Sequence, residues 1–515
     1  MASMRPHLLV APGFLPEAYP EFERDERRQS LLKFETLPTE LQVREFDADR
    51  EASRPGKRET GLSWRQIRRL LKQFMPPRVD SEERKKKEER LLKLAWSMRS
   101  VVIVGIHGWQ FVGGLLSRRP PSDTSEKLVK AADEALKRYL SDFGVDKMGV
   151  DTTLVVADSR GTVEDRVKRL RSRLASSTPV LSAASAVIFV CHSQGALVGA
   201  RLLELLIRDG ILHTQSQRVG YAALAAPHLG PFRDLPGDMY SATRELFSLA
   251  DCASEAAQQH AGSLSFLLET GVRVLSVASF KDQVVPLHSA LMHTHASHPH
   301  LLRALYVDSR HVSPLLNTGR NAPLLHFLTY LLRLRNETTE FPDLLPHLSA
   351  TFRGSLLERP QVHSTVYDAD DVFDLCIRWL LQPTDLREAA PVVLSSVALL
   401  ATALKEPLGS NNSAQLFFLR RRSEQLFRST LTHALTPRAQ LREFASKVAQ
   451  WHPHGVYRTV KAASEAGLRA ALSLPEGSAE SDAGSEDAAS AVESDEARDK
   501  LLVDAEHLRQ RRAAL

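Results

Sequence analysis

Residues 187–206 read VIFVCHSQGALVGARLLELL. Val187 to Val190 are β-branched or aromatic, the composition of a buried strand, whereas the apolar residues after Gly195 recur at helical spacing. Strand and helix are separated only by Cys191, His192, Ser193, Gln194 and Gly195, so the turn between them is tight. Small flanks at Cys191 and Gly195 let strand and helix approach closely while the serine hydroxyl projects from the bend. This strand–turn–helix pattern predicts a nucleophile elbow at Ser193. The competing reading is a serine that caps an ordinary helix. Similar small-x-Ser-x-small spacings surround Ser254 and Ser263, but neither follows a β-run. Cys191 is a second candidate nucleophile, and its place in the turn predicts that it points back into packed protein.

Working outward, the same texture repeats. VVIVGIHGW, TTLVVADSRG, AVIFVCHS, RVGYAALAAP, GVRVLSVASFKD and LRALYVDSR are short apolar runs, most of them ending in Gly, Asp, Ser or Pro. Helix-length amphipathic segments such as TVEDRVKRLRSRL lie between them. Strands that alternate with helices predict an α/β fold, a mostly parallel sheet with helices on both faces. Ligands of such sheets bind at the carboxyl ends of the strands, where the punctuating residues fall.

The chain has 515 residues, 43% hydrophobic and 25% charged, the balance of a globular protein with a sizeable core. Its 67 basic and 62 acidic residues are mixed along the chain, so the net charge of +5 does not point to nucleic acid. Three cysteines without CxxC spacing predict neither a disulfide framework nor a cysteine-based zinc site. The opening stretch reads as neither a secretory signal nor a transit peptide. PVVLSSVALLATAL, from Pro391, is shorter than the ~20 residues that span a bilayer, which predicts a buried or interfacial helix.

An activated serine needs donors for the oxyanion that forms on the substrate carbonyl. VVIVGIHGWQFVGG is a strand that runs into His107-Gly108, and glycine exposes neighbouring backbone amides. The N–H groups of Trp109 and Gln194 are the expected oxyanion hole.

IHGW, CHSQG, APHLGP from Ala226 and SFKDQVVPLHSAL from Ser279 occur in an order that resembles the α/β-hydrolases, specifically lipase-like serine esterases, over about residues 101–381. After about Pro383 the sequence pattern becomes helical only, which predicts an added helical C-terminal region. The resemblance implies an α/β-hydrolase fold. It also implies that the catalytic acid is Asp282, in a D-x-x-V-P-type loop, and that a histidine accepts the proton of Ser193. QVHSTVYDADDVFDLCIRWLL is similar to the G-H-S-x-x-Y loop and closing helix of such lipases, with Val362 in place of the glycine, and makes His363 the favoured base. His311, just beyond the last strand, is the alternative.

The expected domains are an N-terminal extension with a charged helix (1–98), an α/β-hydrolase domain (99–383), a helical region (384–474) and a mostly disordered acidic tail (475–515). The tail is Ser/Ala-rich and almost free of large apolar residues. Residues 231–271 are an insertion that reads as a lid or as inert packing, and residues 321–357 a second insertion that reads as a pocket wall. His288, His293, His295, His298 and His300 read as surface histidines beside the acid loop, with zinc as the minority reading. The expected activity is hydrolysis of a lipid or other apolar acyl ester, with no cofactor and no metal. The expected location is cytoplasmic, with a peripheral membrane contact left open. A non-catalytic scaffold and a membrane or protein adaptor are the alternatives from other classes.

Overall fold

A computed structural model describes residues 7–10, 98–109, 122–142, 149–233, 235, 241–308, 352–355, 362–381 and 391–394, with scattered helical positions between 328 and 349 and between 442 and 472. The strands are β1 (His7–Val10), β2 (Ser100–Ile106), β3 (Asp151–Val156), β4 (Ala186–His192), β5 (Arg218–Leu224), β6 (Arg273–Ser279) and β7 (Leu301–Val307). The described helices are α1 (Ser122–Asp142), α2 (Val163–Leu174), α3 (Thr178–Ala183), α4 (Gln194–Arg208), α5 (Ser241–Ser248), α6 (Glu255–Glu269), α7 (Leu287–Ala290), α8 (Val362–Thr365) and α9 (Asp370–Leu381).

The sheet runs β1-β7-β6-β5-β4-β2-β3. All neighbours are parallel except β1, which pairs antiparallel with β7. The α/β fold with a mostly parallel sheet, predicted from the alternating runs, is the one observed, and all six apolar runs form strands. The chain leaves β2 towards one edge to make β3, then returns to the other side of β2 to make β4. The carboxyl ends of β2 and β4 therefore flank the point where strand order reverses, the crevice in which such sheets bind ligands.

Alternation along the strands feeds two cores. Val101, Ile103, Ile188 and Val190 face α1 and α9 in one cluster. Val102, Val104, Val187 and Phe189 face the other way, towards α2, α4 and α6. On the first face Trp379 of α9 donates its indole N–H to the carbonyl of Val274 at 2.9 Å, which fixes the helix across β6. Glycine at 220 leaves room for Leu380.

Residues 391–394 are neither helical nor part of a strand, with Val393 and Leu394 exposed and Leu394 bridged to His295. The apolar stretch that begins there is expected to be a helix; its first four residues are not helical, with Leu394 bridged to His295 and the Val393 carbonyl accepting from Ala296, and the rest lies outside the described residues. The charged helix expected near residue 85, the acidic tail and most of the C-terminal helical region lie outside them as well. No described helix is long and apolar enough to cross a membrane.

Phe189 is completely buried at the centre of β4, whereas Leu154 on the edge strand β3 is 38% exposed. Phe189→Ala is expected to cost about 3–5 kcal/mol, and Leu154→Ala to change stability by less than about 0.5 kcal/mol. Urea unfolding monitored by circular dichroism measures the difference.

Candidate active site

The bend between β4 and α4 sets the geometry. Ser193 has φ 53° and ψ −129°, a region that a residue with a Cβ rarely occupies and that costs on the order of 1–3 kcal/mol. It stands at the N-cap position of α4, yet its hydroxyl makes no capping bond. A serine kept merely for capping would point that hydroxyl at the first turn. Its N–H donates instead to the carbonyl of Leu224 at 2.9 Å, which ties the bend to β5. A Cβ at Gly195 would run into the carbonyl oxygens of Ile106 and His107, so only glycine lets α4 start this close to β2. Cys191 is wholly buried against Gly199, and burial pushes its thiol pKa up, away from a thiolate.

The Ser193 hydroxyl lies 3.0 Å from Nε2 of His363, and Nδ1 of His363 lies 2.8 Å from Oδ2 of Asp282. The other carboxylate oxygen of Asp282 accepts from the backbone N–H groups of Val284 and Val285, at 2.7 and 3.0 Å. Two amides in the loop after β6 thus orient the acid. His363 is on α8, which is anchored from below: Ser279 donates to the carbonyl of Val362 at 3.1 Å. Gly354 packs against the backbone of Lys281 and donates to the Asp282 carbonyl, so residues 352–355 brace the loop that carries Asp282. His311 lies outside the described residues.

His192, next to the serine, adds a contact that the sequence did not disclose. Burial, and then the neighbouring His363 charge, bring its pKa down to about 3, so the ring is neutral. Its Nε2 is 2.8 Å from the carbonyl of His363 and donates there, while its edge meets the Tyr367 ring. The residue next to Ser193 therefore holds the backbone of the histidine that contacts Asp282.

On the opposite side, the loop after β2 presses against the bend. A Cβ on Gly108 would fall 2.7 Å from that of Ser193, so the Gly108-Trp109 segment runs alongside the hydroxyl-bearing carbon. Gln194 is the first residue of α4. Arg166 of α2 is 1% exposed and reaches both elements: one amino group donates to the carbonyl of His107 at 2.6 Å, the other to the side-chain oxygen of Gln194 at 2.9 Å. The Gln194 amide nitrogen donates in turn to Glu245 of α5 at 2.9 Å. Burial raises the Glu245 pKa and lowers that of Arg166 to about 10, which leaves the guanidinium charged at neutral pH. His107 itself sits 2.7 Å from Asp158 through Nε2 and meets the Gly108 carbonyl through Nδ1.

The five-histidine segment requires a correction. His293, His295, His298 and His300 are buried rather than on the surface, and only His288 is part-exposed. The segment links α7 to β7, and the buried Arg303 guanidinium donates to the carbonyls of Leu291 and His295 and organises the turn. His228 and His260 form a second buried contact, Nδ1 to Nε2 at 2.9 Å with stacked rings. Among the described residues no group of three or more His, Cys, Asp or Glu is placed to hold a metal ion.

A family model described as the YMC0/YMC35 alpha/beta hydrolase domain matches residues 58–403. The chain belongs to this α/β-hydrolase family. Among solved structures it is similar to the RedJ thioesterase of the prodiginine biosynthetic pathway in Streptomyces coelicolor, at 17% identity and a TM-score of 0.22 over 46% of this chain and 91% of that one. It is also similar to a protein assigned as a cell surface hydrolase from Lactobacillus plantarum WCFS1, at 14% identity and a TM-score of 0.23 over 50% of this chain and 98% of that one. No curated protein matches the chain. Neither structural likeness bears on the substrate of this α/β-hydrolase.

The burial of His192, His260 and His295 predicts that stability falls as the solution is acidified. Burial lowers the pKa of His260 to about 4 and those of His192 and His295 to about 3. The His295 shift comes first from burial and then from the Arg303 charge. A histidine whose folded pKa lies below its unfolded value of about 6.5 binds its proton only on unfolding. Its contribution is therefore complete above about pH 6.5 and drains away as the pH falls towards 4, at up to about 1.4 kcal/mol per pH unit for each such ring. Denaturant midpoints measured from about pH 8 to pH 4.5 are expected to be flat above about pH 6.5 and to fall below it. His260→Gln is expected to be less stable at neutral pH but to show a shallower fall.

Proposed function

We propose that this α/β-hydrolase is a serine esterase that cleaves carboxylic esters, with lipid or other apolar acyl esters as the substrate class. The observation that carries the proposal is the unbroken contact from Ser193 Oγ through the His363 ring to Asp282. In this reading Ser193 attacks the acyl carbonyl carbon while Nε2 of His363 takes the hydroxyl proton. Asp282 holds the ring with its Nδ1–H towards the carboxylate and stabilises the imidazolium that forms. The backbone N–H groups of Trp109 and Gln194 receive the oxyanion. The tetrahedral intermediate collapses, the C–O bond to the alcohol breaks, and His363 returns the proton to the departing oxygen. Water, deprotonated by the same ring, then attacks the acyl-enzyme and frees the acid and Ser193. Apart from that water, every step uses groups of this chain. The apolar substrate class comes from the lipase-like motifs in the sequence.

A fluorophosphonate probe is expected to label the wild-type protein and not Ser193→Ala. Asp282→Asn and His363→Ala are expected to lower kcat on a p-nitrophenyl ester by about 10³- to 10⁴-fold, with melting temperatures near that of the wild type. A folded wild-type protein that takes no label and cleaves no ester would favour a non-catalytic scaffold. Full activity in His363→Ala would return the base to His311.

A further inference from the structure

The two proposed oxyanion donors come from different strand ends, Trp109 after β2 and Gln194 after β4. Amides on separate loops stabilise a transition state only if their spacing is fixed before the charge develops, because reorganisation at that moment costs catalysis. Arg166 bridges both loops, through the His107 carbonyl and the Gln194 side-chain oxygen. It stands on α2, outside both loops, and α2 is fixed in turn by a Thr162 N-cap and by Val163 N–H donating to Glu245 at 2.8 Å. The same Glu245 oxygen accepts from Gln194, so the strap closes on itself through α2, α4 and α5. The charges of Asp158 and Glu245 act on the guanidinium, and Cys191 also lies within its electrostatic reach.

A buried cation with two directed arms is an expensive way to fill space, since a desolvated guanidinium is costly unless its hydrogen bonds accomplish something. We propose that Arg166 is the positioning residue of the oxyanion site: its guanidinium straps the His107–Trp109 loop to Gln194 and sets the spacing of the two amide donors. This rests on the esterase reading above. It adds a residue that touches neither substrate nor the reacting atoms, and it gives residues 231–271 a part in the site through Glu245.

The test uses an alkyl trifluoromethyl ketone. Ser193 Oγ adds to its carbonyl carbon, the hydroxyl proton passes to His363, and the ketone oxygen becomes the oxyanion of a hemiketal. Fluorine NMR then follows protonation of that oxygen with pH, a direct readout of how well the hole holds it. In Arg166→Met and in Gln194→Met, which removes the strap's acceptor but keeps the backbone N–H, the oxygen is expected to protonate at least about one pH unit higher than in the wild type. The corresponding loss in kcat is about 10- to 100-fold, with KM within about threefold. The double variant is expected to lose less than the sum of the two single losses, because both remove the shared Arg166–Gln194 contact. Folded Met variants with wild-type hemiketal titration and kcat would overturn the proposal. If Arg166→Met does not fold, Gln194→Met alone decides, in the same two directions. A wild-type protein that forms no hemiketal at all would overturn the esterase reading and this inference with it, whereas a wild-type hemiketal with unaltered variants overturns this inference alone.

Discussion

The arrangement depends on one strained residue. Holding Ser193 at positive φ between β4 and α4 costs free energy that no local contact returns, so the surroundings must over-determine it. They do so from three directions. The Leu224 carbonyl takes its N–H, the absence of a Cβ at Gly195 lets α4 begin against the carbonyls of Ile106 and His107, and Cys191 and Gly199 lock strand to helix beneath it. Because β4 is a wholly buried strand inside the sheet, the bend cannot relax without disturbing both cores.

The groups that meet the serine come from distant parts of the chain, and each arrives with its own brace. Asp282 is set by two amides of its own loop, so its orientation does not rely on the histidine. His363 is set through its backbone as well as its ring, with Ser279 holding the Val362 carbonyl and His192 holding that of His363. A ring with two nitrogens engaged and a main chain held at neighbouring carbonyls has little freedom left. Such preorganisation is what proton transfer between fixed heavy atoms requires.

The strands could be read from the sequence because buried parallel strands are nearly continuous apolar runs, and VVIV, VIFV and RVLSV are unmistakable at that level. The turn at Ser193 could be read because its small neighbours leave few alternatives. What could not be read is how the braces connect. His192 looks like any turn residue, and Glu245 like any helical acid. Arg166 did leave a signal: Val163, Arg166, Leu170 and Leu174 share one face of α2, so its charge interrupts an apolar stripe while the other basic residues of TVEDRVKRLRSRL lie off it. The histidine segment misled for the opposite reason. Imidazoles are polar by composition, yet neutral ones pack in a core when carbonyls and guanidinium groups are near, as Arg303 and Arg335 are here.

The antiparallel strand at the edge gives the fold an order of events. Among the described residues, 7–10 find their sheet partner in 304–307 alone. During synthesis β1 therefore has nothing to join until all the other strands have emerged, and β7 in turn presents bare amides and carbonyls until the early segment comes back to cover them. Closure of that rim is a long-range pairing, made by a segment that leaves the ribosome well before the strand it covers.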